Sequence, residues 1–273
     1  MSTTVITTTH RMNTRSRSED LVSVAAALRS EWIKTRSLRS NPAILGLTVV
    51  VGLLLSLILA VFVKDDPNKH IPFTVGDTFI FSTWLTTVLA IVMGILMFTS
   101  EVQHGTLANT IAAQPARWVT VAAKTTVAAG FGLVMGVLGM IAGFSGAVLG
   151  GLEMGDTSGM AATALWGLLL TSMAAVFGLG AGMIIRHSSA AISTALVWTL
   201  VVENLFRGFA SPKVSRFLPF SAANGLLEIE SLSDTPETLA LRLTRVHDAV
   251  LFSGYTLAAV AIGTVLLYRR DNN

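Results

Sequence analysis

The 273-residue sequence contains no cysteine, which excludes a disulfide framework, thiolate metal ligation and a cysteine nucleophile. Charge is scarce as well: 13% of residues are Asp, Glu, Lys or Arg, where a soluble domain carries about 25%. No Gly-Lys pair occurs anywhere. The phosphate-cradling loop Gly-x-x-x-x-Gly-Lys-Ser/Thr is therefore missing, and the chain cannot hold ATP in that way. The basic residues flank apolar runs instead of lining one face, so nucleic acid is not an expected partner. No catalytic residue and no metal site is expected in this chain.

What fills the sequence is hydrocarbon. Hydrophobic residues make up 52%, and mean hydropathy is +0.66. Six apolar runs stand out, at about 43–63, 78–98, 125–150, 160–185, 190–206 and 249–267. In the first, Ala43 to Val63, 15 of 21 residues are Leu, Ile, Val or Phe and none is charged. Insertion of that run is favourable by roughly 6 kcal/mol, enough to absorb its two glycines and two hydroxyls. At about 1.5 Å per residue it covers one bilayer core. The seven prolines (Pro42, Pro67, Pro72, Pro115, Pro212, Pro219 and Pro236) all fall outside these runs. That is the pattern of helix interiors, since a buried proline removes a backbone hydrogen bond. The expected fold is an all-α polytopic membrane protein with six transmembrane helices.

Ahead of the first span, residues 1–18 are rich in Ser, Thr and Arg and read as a disordered arm. Residues 19–42 read as an amphipathic helix lying in the membrane interface. Leu21, Val24, Leu28 and Trp32 form its apolar face, and Arg29, Lys34, Arg36 and Arg39 are its headgroup contacts. The remainder, 43–273, is one membrane domain. With the N-terminus inside, Lys and Arg number 12 on the cytoplasmic side and 7 outside, five of those in one long loop. The positive-inside rule thus puts both termini in the cytoplasm.

Between the second and third spans, residues 99–124 hold Glu101, His104, Pro115, Arg117 and Lys124. Such residues do not belong in hydrocarbon, so the chain is expected to leave the membrane here as a cytoplasmic loop. The third span carries Gly132, Gly136, Gly139, Gly143, Gly146 and Gly150 at alternating spacings of four and three. They fall on one helix face and predict close helix packing. Gly143-Phe144-Ser145-Gly146 also matches the GxSG of rhomboid intramembrane proteases. A serine nucleophile needs a histidine within reach, and none of His104, His187 and His247 sits at matching depth, so a protease is rejected.

Glu203 is the one acid close to hydrocarbon. With Asn204, Arg207 and Pro219 it reads either as an outer polar gate or as an interfacial ion pair to Arg207 at i,i+4. The outer segment 207–248 contains Phe217-Leu218-Pro219-Phe220, which is too apolar for a free loop and is expected to dip into the interface or pack as a re-entrant element. Its Thr235-Pro236-Glu237 is a helix-start signal.

This layout resembles the permease subunits of type-2 ATP-binding-cassette exporters, particularly those of actinobacterial type. Three stretches carry the likeness. Leu28 to Ser37 is similar to the basic stretch on the family's interfacial helix. Ser100-Glu101 with Gly105-Thr106-Leu107, followed by Arg117 and Lys124, resembles the S/T-x-E-Y-x-x-G-T-L element after span two, with Val102 at the usual tyrosine position. Glu203 followed by Leu218-Pro219-Phe220 is the third. The resemblance implies a second permease chain, a partner ATPase that binds ATP and Mg, and residence in a bacterial plasma membrane. It also implies a cytoplasmic coupling helix between spans two and three, to which the short, partly apolar stretch Leu107 to Ala113 corresponds, and a coupling role for Glu101, His104, Gly105, Thr106, Leu107, Arg117 and Lys124. The rivals are an ion- or proton-driven carrier, which predicts internal repeats and mid-membrane charges, and a non-transporting immunity or scaffold protein.

Overall fold

The computed structural model describes residues 17–37, 40–64, 74–113, 117–155, 157–229 and 239–270. Residues 1–16 of the arm, most of the loop after the first span and the Thr235-Pro236-Glu237 signal lie outside them, while Arg17 and Ser18, expected in the arm, begin a helix. Among the described residues, six helices are long and apolar enough to cross a membrane. In chain order, α1 (Arg17–Ser37) precedes the first of these, α2 (Ser40–Lys64), which is followed by α3 (Val75–Gln103). The short α4 (Leu107–Ala113) leads to α5 (Arg117–Leu149) and α6 (Met160–Ile185). The span α7 (Ser188–Phe209) contains a π-helical turn at Trp198–Val202. Two short helices, α8 (Pro212–Ser215) and α9 (Pro219–Leu226), precede α10 (Arg245–Arg270).

Five of the spans are longer than hydropathy predicts, the fourth matching at Met160–Ile185, and the largest difference falls at residues 99–124. There α3 runs on through Glu101 to Gln103, and α5 begins at Arg117. The expected 26-residue loop is mostly helix, because the charges that depress its hydropathy neutralise one another inside the fold. Pro42 lies in the first turn of α2 and not ahead of it. A proline is tolerated there, since the first turn has no intrahelical acceptor for its missing N–H.

The centre of the bundle is α3, α5 and α6, with α2 against α5, α10 against α6, and α7 the least buried span. The glycine stripe of α5 meets three different neighbours in turn. An added Cβ would lie 2.5 Å from Thr171 O of α6 at Gly132 and 2.4 Å from Thr171 Oγ1 at Gly136. At Gly139 and Gly143 the nearest atoms are Thr86 Oγ1 (2.0 Å) and Ser82 Cβ (2.4 Å) of α3. At Gly146 and Gly150 they are Leu53 O (2.3 Å) and Ala60 Cβ (2.2 Å) of α2. Side chains larger than hydrogen would hold these helices apart, which is the physical use of small residues in lipid.

Helix α3 is framed by two local devices. At its start Thr74 and Asp77 form a capping box. At its end Gly105 adopts φ +66. The Gly105 amide donates to Val102 O at 3.2 Å and the Thr106 amide to Glu101 O at 3.0 Å, the Schellman pattern that a left-handed glycine permits. The chain therefore turns into α4 through a defined joint.

Candidate functional site: an ion cluster beneath a short helix

Residues from four helices converge at the end of the bundle that carries α1 and α4. Lys124, on α5 and only 3% exposed, donates to Glu31 Oε2 of α1 at 2.7 Å and to Glu101 Oε1 of α3 at 2.6 Å. Lys34, one turn along α1, donates to Glu31 Oε1 at 2.7 Å and lies 3.6 Å from Glu101 Oε1. The same ammonium donates to Thr110 Oγ1 of α4 at 3.0 Å. Burial works against the charge of Lys34, but the Glu31 hydrogen bond and the carboxylates of Glu101 and Glu31 outweigh it and hold its pKa above the ordinary lysine value. It stays cationic throughout the neutral range.

Two carboxylates and two ammoniums sum to zero, so three helices enclose these charges without a net ion in the interior. Helix α1 is anchored further where Trp32 packs at a tilt against Phe131 of α5, with ring centroids 5.0 Å apart and planes at 42°. Thr35 and Asn41 are buried, and Asn41 Nδ2 donates to Thr35 O. The inward face of α1 is therefore mixed, carrying Glu31 and Thr35 beside Leu28, while Arg29, Ile33 and Arg36 point away. That differs from the purely apolar face expected of an interfacial helix.

Of the seven residues singled out around this segment, Glu101 and Lys124 meet in the cluster. His104 is exposed and sets its Nδ1 2.7 Å from Ser100 O. Gly105 and Thr106 make the turn, and Leu107 opens α4 with its side chain against the core. Arg117 goes elsewhere: its Nη1 donates to Tyr268 O at 3.4 Å, and its guanidinium lies 5.3 Å from the Tyr268 ring centre, joining α5 to the end of α10. Lys34 reads in the sequence as a headgroup contact, Glu31 stands inside the Leu28–Ser37 stretch of family likeness without a role assigned to it, and Thr110 carries no signal of its own. The available clue was that acids and lysines stand at the edges of three apolar segments, where each needs a partner.

At the opposite end, Glu203 is 2% exposed. It does not pair with Arg207 as the i,i+4 spacing suggests. Its Oε2 accepts from the Phe220 amide at 3.1 Å and its Oε1 from the Ser221 amide. These are early amides of α9, whose N-cap is the apolar Leu218 and whose first residue is Pro219. Glu203 supplies the cap that α9 lacks, and an anion suits the positive end of a helix. Arg207 instead donates to Asn204 Oδ1. The π turn ending at Val202 shifts the register of the helix just before Glu203. Phe220 packs among Phe177 of α6 and Phe252 of α10, at centroid distances of 6.0 and 6.3 Å. The expected re-entrant element is thus a short helix held by a carboxylate on one side and aromatic rings on the other. Glu203→Ala should cost about 1.5–3 kcal/mol for each charge-assisted bond lost. Amide hydrogen exchange over 217–226 should rise at least tenfold, with α5 unchanged; unaltered exchange there would disprove the capping role.

Among the described residues, no three His, Cys, Asp or Glu side chains gather as a metal site. No curated protein sequence matches this one. The family profile described as ABC-2 family transporter protein matches residues 27–209, from α1 through the last residue of α7. With six spans and that match over most of its length, the chain belongs to the ABC-2 transporter family and is a transmembrane transporter permease.

Proposed function

We propose that this chain is the membrane subunit of an ATP-driven exporter. Its engine is a separate ATPase, which binds ATP and Mg and seats against α4 and the exposed face of α1. On this reading the end with α1 and α4 is cytoplasmic, both termini lie on that side, and the membrane is a bacterial plasma membrane. A second permease chain completes the pathway. The exposed apolar face of α7, with Val197, Val201, Leu205 and Phe209, is available for it.

The observation that carries the proposal is the double engagement of Lys34, on Thr110 of α4 and on the buried carboxylates. A push on α4 reaches α3 and α5 through one ammonium instead of through a slack loop. The surrounding geometry supports a rigid transfer, since the Gly105 turn fixes where α4 leaves α3.

The test uses the chain co-purified with its ATPase in nanodiscs. Thr110→Val removes the hydroxyl acceptor, and Lys34→Gln weakens the bridge while Lys124 still pairs both carboxylates. Both variants should assemble and hydrolyse ATP near the wild-type rate, with transport per ATP reduced at least fivefold. Unchanged stoichiometry in both variants would refute the Lys34 bridge as the transmission. Purification without any ATPase, together with solute movement under an ion gradient, would refute the ATP-driven reading.

A further inference from the structure

At the end of the bundle away from α4, a cavity of about 330 Å³ opens between the end of α7, helices α8 and α9, and the approach to α10. Among the described residues, its charged walls are Arg207, Arg216, Arg242 and Asp248. Glu203 is not among them, being committed to the backbone of α9.

The polar atoms facing this space are incompletely served. Arg216 donates through Nη1 to Leu241 O at 3.2 Å, yet its Nε is buried without an acceptor. Ser221 Oγ and Asn224 Oδ1 are likewise buried without a partner. Arg207 spends Nη2 on Asn204, and Arg242 donates to Ile229 O at 2.8 Å. Asp248 is 4% exposed, and no described residue donates a hydrogen bond to its carboxylate. It reaches the wall because residue 225 is glycine, where a Cβ would stand 2.1 Å from Asp248 Oδ2. Buried polar groups in folded proteins are nearly always paired, so several unpaired ones around one cavity describe the ligand that would pair them.

That ligand must offer acceptors to guanidiniums and donors to a carboxylate and an amide oxygen. A simple anion would leave Asp248 without a donor and bring negative charge beside it. A simple cation would face three guanidiniums. We propose that the cavity binds a zwitterionic group in which a phosphate accepts from Arg207 and Arg216 while a primary ammonium donates to Asp248 and Asn224 Oδ1. This is the chemistry of an ethanolamine phospholipid headgroup, or of free phosphoethanolamine. The depth suits a headgroup, since Phe209 and Arg245 beside the cavity are the terminal residues of their spans.

The inference does not depend on the ATPase, and its test uses the full chain alone in detergent micelles. Lipid retention is read by native mass spectrometry, and thermal unfolding is followed alongside. Phosphatidylethanolamine should be retained at least tenfold over phosphatidylcholine, whose quaternary ammonium has no N–H, and over phosphatidylglycerol, which has no cation. Asp248→Asn should abolish the preference over phosphatidylcholine. Arg216→Gln should weaken all three lipids, and Ser221→Ala, the mildest change to the fold, should lower retention severalfold. Displacement of the lipid by millimolar phosphoethanolamine would assign the site to the free headgroup chemistry. Retention unaffected by it would assign the site to the intact lipid. Equal retention of the three lipids by the wild type with no thermal shift from phosphoethanolamine, or a phosphatidylethanolamine preference surviving in Asp248→Asn, overturns the proposal.

Discussion

Lys124→Met is expected to be among the most damaging single substitutions in this protein. The methionine fills the volume, but Glu31 and Glu101 are left facing each other, 4% and 7% exposed, with only the half-exposed Lys34 between them. Removing one partner of a buried ion pair costs about 3–5 kcal/mol, because the desolvated charge left behind has no compensation. In a chain of this size that lowers the melting temperature by on the order of 10 °C. Helix α1 should come away first, which protease cleavage within residues 24–37 would report. The triple variant Glu31→Gln, Glu101→Gln, Lys124→Met should recover much of the loss, because it removes the stranded charges along with the lysine. A Lys124→Met protein as stable as the wild type would show that the cluster is not the latch described here.

Gly94→Ala should also destabilise the protein, by less and for a different reason. The new methyl would stand 1.9 Å from Ala175 O, 2.7 Å from Leu179 N and 2.9 Å from Ala175 C. All three are backbone atoms of α6, so no rotamer change relieves the clash and the two helices must part. Overpacking of this kind costs about 1–3 kcal/mol, more than the gain of about 1 kcal/mol that alanine brings to a helix. The matched control is Gly130→Ala, where nothing lies within 4 Å of the added carbon; there only the propensity gain remains. The two variants should shift thermal unfolding in detergent in opposite directions. If Gly94→Ala is also stabilising, the close approach of α3 and α6 is not what holds the centre of the bundle.

Hydropathy and proline placement made the six spans legible, and the likeness to the family pointed to the partly apolar stretch Leu107 to Ala113, which is α4. The ends of the spans were not legible around residues 99–124. A hydropathy scale charges Glu101 and Lys124 the full cost of burial, while the fold pairs each with a residue distant in sequence. Glu31 is the hidden term, since nothing local to Lys124 points 93 residues back along the chain. At the other end, the likeness to the family placed Glu203 and Leu218-Pro219-Phe220 in one motif, and the structure brings them into contact. Helical spacing had instead paired Glu203 with Arg207. A π turn just before Glu203 is invisible to a rule that assumes 3.6 residues per turn, and the uncapped start of α9 is a stronger attraction for a carboxylate than a guanidinium already engaged by Asn204.

The separation of the cluster's members along the chain also sets an order on biogenesis. Glu31 and Lys34 leave the ribosome early, Glu101 follows, and Lys124 comes 23 residues after Glu101 and 93 after Glu31. A nascent chain that has not reached Lys124 carries two carboxylates and one peripheral lysine, one cation short of the neutral set that allows both acids to leave water. Helix α1 must therefore wait, solvated, while two spans are threaded, and it closes onto the bundle only once α5 begins to emerge. Its docking is a late checkpoint in membrane assembly, passed only by chains whose second and third spans already stand side by side.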